Sequence, residues 1–134
     1  MSLERPLPSP DPLTAPYWEA AREERLVLPR CVDCGRHHFY PRSLCPHCGS
    51  AKITWVPASG HGEIYSFTII HRAPSPAFAA DIPYAVALVA LEEGPHLMTN
   101  IIDCAPDVLR IGMTVSVAFR QVDEAVTLPV FKPV

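Results

Sequence analysis

The chain has 134 residues, 49% of them hydrophobic and 19% charged, which suits one soluble globular domain or two very small ones. Eleven basic against fourteen acidic residues give a net charge of −3, and with only two lysines, Lys52 and Lys132, no clustered cationic stripe is present to neutralise nucleic-acid phosphates. No run approaches the length of a membrane span, and the proline-rich start is not signal-like, so a cytoplasmic protein is expected.

After Ser9-Pro10-Asp11-Pro12, Thr14 stands where it can cap a short helix with Pro16 in its first turn, running to about Glu24. Leu13, Tyr17 and Ala21 recur every four residues with Trp18 beside them. A helix of that length cannot bury two aromatic rings by itself. The face either docks onto its own domain or belongs to a partner protein or homodimer, which makes Tyr17 and Trp18 candidate partner-binding residues.

Cys31-Val32-Asp33-Cys34 and Cys45-Pro46-His47-Cys48 follow, with ten residues between the inner cysteines. Two such turns, each ending in a glycine (Gly35, Gly49), offer four thiolates to one tetrahedral ion, and Cys31, Cys34, Cys45 and Cys48 are the predicted ligands of a zinc. Four protein ligands leave no open coordination position, so the ion is expected to be structural. Iron in a rubredoxin-like site is the alternative. His37, His38 and His47 then read as solvated or packing residues. Leu26 to Pro29 leads in, Phe39 and Tyr40 lie between the turns and Ile53 to Val56 leads out, which predicts a three-stranded ribbon too small to hold together without its metal. Cys104 stands alone as a packing residue, and a single spare thiol fits a reducing compartment.

Beyond Ser59-Gly60-His61-Gly62, five stretches rich in Val, Ile, Phe and Thr predict strands: Glu63 to Ile70, Tyr84 to Leu91, Leu97 to Ile102, Thr114 to Val122 and Val126 to Phe131. Glu92-Glu93-Gly94 marks a hairpin tip. Val115, Val117 and Phe119 alternate with Thr114, Ser116 and Arg120 as in a half-buried strand. Ala105 to Leu109 has room for one helical turn before the fourth of these strands. The segment 73–81, apolar around Phe78, reads as a long surface loop. The prediction is a mainly β chain: an N-terminal helical arm over 1–25, a four-cysteine zinc ribbon over 26–57 and a five-stranded OB-fold barrel over 58–134.

The sequence Tyr17-Trp18-Glu19-Ala20, the stretch Leu28 to Gly35, Tyr40-Pro41-Arg42 and Cys45 to Ser50 carry a resemblance that extends through Ser59-Gly60-His61-Gly62, Pro83-Tyr84, Glu92 to Pro95, Ile111 to Val115 and Leu128 to Phe131. Over nearly its whole length the chain resembles the domain-of-unknown-function-35 family, a rubredoxin-like zinc ribbon followed by an acyl-CoA-associated OB-fold. The resemblance implies an accessory subunit that binds a thiolase-like protein, or an acyl-CoA hydratase or aldolase, and assists acyl-CoA binding or complex assembly. The residues themselves offer no convincing nucleophile, base and orienting group. Cys104 has no histidine near it in sequence, and neither Ser66 nor Ser75 sits in a recognisable elbow, so no catalytic residue is assigned.

If a coenzyme A ester binds, its phosphates need guanidinium or ammonium groups and its arm a narrow apolar groove. Arg36, Arg42 and Arg72 are the candidates, converging across the seam between ribbon and barrel, with Phe78 as a cover for the ligand or a plug into a partner. Two other classes stand beside this reading: a single-stranded nucleic-acid-binding module, and an independent acyl-CoA hydrolase or transferase.

Overall fold

The computed structural model describes residues 6–134, so the first five positions of the predicted arm lie outside the described residues. Helix α1 covers Ala15–Arg22. Thr14 occupies its N-cap position but does not cap it with its side chain. The Thr14 hydroxyl turns back to the preceding turn instead: Asp11 Oδ1 accepts from the Thr14 N–H at 2.8 Å, and Thr14 Oγ1 accepts from the Asp11 N–H at 3.2 Å. The helix ends at Arg22, short of Glu24, because Glu24 swings to a φ of 58°. The Arg25 N–H then bonds to the Ala20 carbonyl and the Glu24 N–H to that of Ala21, the paired closure of a Schellman turn.

Strand β1 (Val27–Cys31) pairs antiparallel with β2 (Ile53–Pro57), from Val27 opposite Pro57 to Cys31 opposite Ile53. The expected third ribbon strand is absent: between the cysteine turns only a single bridge joins Arg30 to His37, and the His38 N–H reaches the Pro29 carbonyl at 3.1 Å. Pro29 has no N–H to return and Pro41 interrupts the facing segment, so a ladder cannot propagate there.

The barrel strands are β3 (His61–Ile70), β4 (Tyr84–Leu91), β5 (His96–Ile101), β6 (Thr114–Gln121) and β7 (Thr127–Pro133). They close in the order β3-β4-β5-β7-β6. The first strand pairs antiparallel with both the second and the fourth, and the third meets the fifth in parallel at Ile101 opposite Phe131, which is OB-fold connectivity. A bulge between Ile64 and Ser66 lets the long first strand bend around the barrel. One 3₁₀ turn, Pro106–Val108, fills the place where an OB barrel often carries a helix.

Strand β4 shows how sequence becomes barrel. Ala85, Ala87, Val89 and Leu91 are buried while the residues between them are half-exposed, the period of two that a pleated strand imposes. The core these residues enter contains Ile64, Val115 and Phe131 from the barrel, Leu26 and Leu28 from the ribbon side, and Tyr17 from the helix. Arm, ribbon and barrel therefore bury apolar surface in one continuous cluster, which fixes the seam between them. Among the described residues no helix is long and apolar enough to cross a membrane.

Candidate functional site

The two cysteine turns are built alike. Gly35 and Gly49 donate to the carbonyls of Cys31 and Cys45, both at 2.9 Å, with φ of 77° and 79°, a region that a side chain disfavours. The Cys31 N–H reaches the Arg36 carbonyl and the Cys45 N–H that of Ser50, closing each turn with the same five-residue span. The Ser50 hydroxyl donates to Asp33 across the pair, tying one turn to the other.

This brings all four sulfurs within 4.8 Å of one another, with Cys31 to Cys48 at 3.5 Å and Cys34 to Cys45 at 3.7 Å. A tetrahedral zinc with bonds of about 2.3 Å requires sulfur separations of about 3.8 Å, so the cluster fits that ion. The Cys34 N–H aimed at Cys31 Sγ, helped by the Cys48 thiol and the Asp33 N–H, outweighs burial and pulls the Cys31 thiol down to about 7. At Cys48 the Ser50 N–H acts downward, but the Cys31 thiol, burial and the Cys34 and Cys45 thiols together override it and raise the group to about 12. Sulfurs this close cannot all shed their protons without a cation among them. Cys31 and Cys45 are buried and Cys34 and Cys48 exposed; the four sulfurs would fill a tetrahedral shell with no open position, so an ion held there would brace the ribbon.

Two cavities share a wall at Phe39 and Tyr40. The first, about 630 Å³, lies at the seam between the ribbon loop and the β4–β5 turn; Arg36, Arg42 and His47 stand on the ribbon wall, Glu93 on the barrel wall. The second, about 280 Å³, is an apolar groove between α1 and the neighbouring strands β5 and β7, lined by Trp18, Leu97, Met98 and Pro129 among others. Phe39 and Tyr40 line both. Tyr40 is 54% exposed, and its hydroxyl accepts from the Met98 N–H at 3.3 Å, so one phenol marks the boundary between the cavities.

Of the arginines singled out from sequence, Arg36 and Arg42 line the seam cleft, with Arg36 3.5 Å from the His47 ring, but Arg72 does not. The expected convergence of three fails for a reason of register. The cleft touches the turn that follows Leu91, which pairs with Gly62, whereas Arg72 lies past Ile70, which pairs with Tyr84 at the other end of the same hairpin. Phe78 is elsewhere again: it sits on the short turn Pro76–Phe78 with its ring 6.1 Å from Tyr84, beside a separate cavity that includes Asn100 and Arg120.

Tyr17 is only 7% exposed and meets Trp18, Phe39 and Trp55 at ring separations of 5.0, 5.2 and 6.4 Å. It docks the helix onto its own chain, while Trp18 remains half-buried on the groove. The sequence reads His38 as a solvated or packing residue and Glu93 only as part of a hairpin tip. His38 is 5% exposed, lines the cleft and has no hydrogen-bond partner among the described residues at either ring nitrogen; burial, with the charges of His47 and Arg42, lowers its basicity. Glu93 Oε2 accepts from the Ser59 N–H at 2.7 Å, while its buried Oε1 is unpartnered. Nothing in the local pattern of either residue signals burial in a cavity wall.

The sequence matches two family models, the ChsH2 rubredoxin-like zinc ribbon domain over residues 18–54 and the ChsH2 C-terminal OB-fold domain over residues 55–120. A DUF35 domain-containing scaffold protein of Methanocaldococcus jannaschii is 34% identical over 85% of this chain and 82% of its own length. The chain belongs to the DUF35 scaffold family. It is also 44% identical, over 96% of its length, to a probable enoyl-CoA hydratase alpha subunit of Thermomonospora curvata, but spans only 40% of that protein. Among solved structures, a chain of the Ltp2-ChsH2(DUF35) aldolase superposes with a TM-score of 0.86 at 43% identity, covering 95% of this chain and 98% of that one. Family members are thus associated by name with aldolase and hydratase assemblies, and this DUF35 chain has the ribbon and barrel that they share.

Proposed function

We propose that this DUF35 protein is a non-catalytic accessory subunit that docks a thiolase-like, aldolase or hydratase partner and helps hold the partner's acyl-CoA thioester at the seam between ribbon and barrel. The observation that carries the reading is the wall at Tyr40, shared by a cleft bearing two arginines and an apolar groove that no charged side chain lines among the described residues. A ligand with an anionic head and a long, mostly apolar arm needs that sequence of surfaces. Names of relatives that include an aldolase and a hydratase alpha subunit add support for a partner of this class. Trp18, half-buried at the edge of the groove where Tyr17 turns inward, is the aromatic group offered to that partner.

The test is affinity purification of the tagged chain from extract of its own cells, with the co-purifying proteins identified and zinc quantified in the same sample. A stoichiometric thiolase-, aldolase- or hydratase-like subunit, with one zinc per chain, is the expected result. Recovery of the zinc-loaded chain alone, or bound to single-stranded nucleic acid in a salt-dependent way, would overturn the reading.

A further inference from the structure

The seam cleft and the groove differ in a way that gives the ligand a direction. Among the described residues no Asp, Glu, Lys or Arg lines the groove; its uncharged polar groups include Asn100, whose side-chain amide donates to the Ala85 carbonyl at 2.9 Å. Among the described residues the cationic side chains of the junction stand on the ribbon wall of the cleft, with the Glu93 carboxylate opposite them. A phosphate placed in the groove would be stripped of water without a charged partner, whereas in the cleft it meets guanidinium forks shaped for its oxygens. At about 630 Å³ the cleft lies within the range of small-molecule sites, roughly 300–1,000 Å³, while the groove, at about 280 Å³, suits a narrow chain better than a nucleotide.

We infer that the cleft is a subsite for the phosphorylated nucleotide end of a coenzyme A thioester, Arg36 and Arg42 facing its phosphates, and that the pantetheine arm passes over Tyr40 into the groove beside Met98. This rests on the acyl-CoA reading above and adds its polarity: the ribbon holds the nucleotide, and the arm is led across the barrel toward the partner.

The test is calorimetric titration of the zinc-loaded full chain, and of its complex with the co-purified partner, with coenzyme A and with adenosine 3′,5′-bisphosphate. Two variants are compared, R36Q/R42Q, which alters only side chains of the cleft wall, and M98W, which fills the groove without adding charge; retained zinc and unchanged circular dichroism show that each is folded. R36Q/R42Q is expected to weaken both ligands by about ten-fold or more at low salt, and M98W to weaken coenzyme A alone. Undiminished coenzyme A binding by R36Q/R42Q, or bisphosphate that fails to compete with coenzyme A, would overturn the polarity and leave the acyl-CoA reading standing. If neither unmodified chain nor complex takes up coenzyme A, both fall together.

Discussion

The Met98 amide of the barrel donates to the Tyr40 hydroxyl of the ribbon at 3.3 Å, across 58 positions of sequence. Strand β5 pairs fully with β4 on one side but meets β7 only at Ile101, so its other edge is partly unladdered, and the phenol takes up one of the amides there. Tyr40→Phe keeps the ring and removes the acceptor. Because the bond is exposed, the expected loss is about 0.5–1 kcal/mol in denaturant titration, at the low end for a hydrogen bond, together with faster hydrogen exchange at Met98. Unchanged exchange at that amide would show that the contact does not tie ribbon to barrel.

Removing the metal should act locally. Structural zinc contributes on the order of 10 kcal/mol of apparent binding free energy in small zinc-finger peptides, more than a two-stranded ribbon can supply from its own packing. Chelation, or Cys45→Ser, is expected to abolish exchange protection at the N–H groups of Cys31, Gly35, Cys45 and Gly49, while the β4–β5 ladder stays protected. The measurement is hydrogen exchange by NMR with zinc content taken in parallel. Protection that survives in a metal-free chain would refute the structural role.

His38 gives a pH dependence of known sign. Burial lowers its folded-state pKa below the ordinary 6.5, so on acidification the unfolded chain takes up the proton first. Its contribution to stability is therefore complete above about 6.5 and is lost progressively as pH falls from there toward the depressed folded value. His38→Phe removes both the titration and two unpartnered buried nitrogens, and should raise the unfolding midpoint and flatten the slope between pH 6.5 and the folded value. A variant with the same slope as the unmodified protein would mean that other groups set it.

Gly62 tests the barrel closure. A Cβ there would lie 2.6 Å from the Ala90 carbonyl oxygen and 2.7 Å from Val89 Cγ1, at the point where β3 is paired with both β4 and β6. Backbone cannot yield as a flexible side chain can, so Gly62→Ala should destabilise by about 1–3 kcal/mol by thermal or denaturant unfolding. A loss below measurement error would show that the strand start is looser than its pairing implies.

Much of this architecture is written locally. The barrel strands are announced by runs rich in Val, Ile, Phe and Thr, several of them alternating, and the cysteine turns by spacing and a following glycine, so a short window of sequence suffices to find them. The seam is another matter. Arg36 and Glu93 face one cleft because closure of the barrel carries the β4–β5 turn to the ribbon, and no such window contains both. Charge alone groups Arg72 with Arg36 and Arg42, and charge says nothing of the end of the hairpin on which a residue falls. The missing third ribbon strand is hidden in the two prolines, Pro29 and Pro41, whose absent donors matter only once the segments lie side by side.

The helix separates two roles that sequence leaves joined. Tyr17 and Trp18 are adjacent and both aromatic, yet one is buried among Phe39 and Trp55 and the other borders the groove. Tyr17→Ala would open a cavity where arm, ribbon and barrel meet, and should cost about 3–5 kcal/mol, the range for deleting a buried aromatic side chain. Trp18→Ala removes a half-buried ring and should cost less than half as much, but is expected to reduce recovery of the partner subunit in the affinity experiment while zinc content stays the same. If Trp18→Ala leaves partner recovery intact, the helix serves only to clasp its own chain, and the contact surface must be sought on the exposed apolar residues of the cysteine turns, Val32 and Leu44.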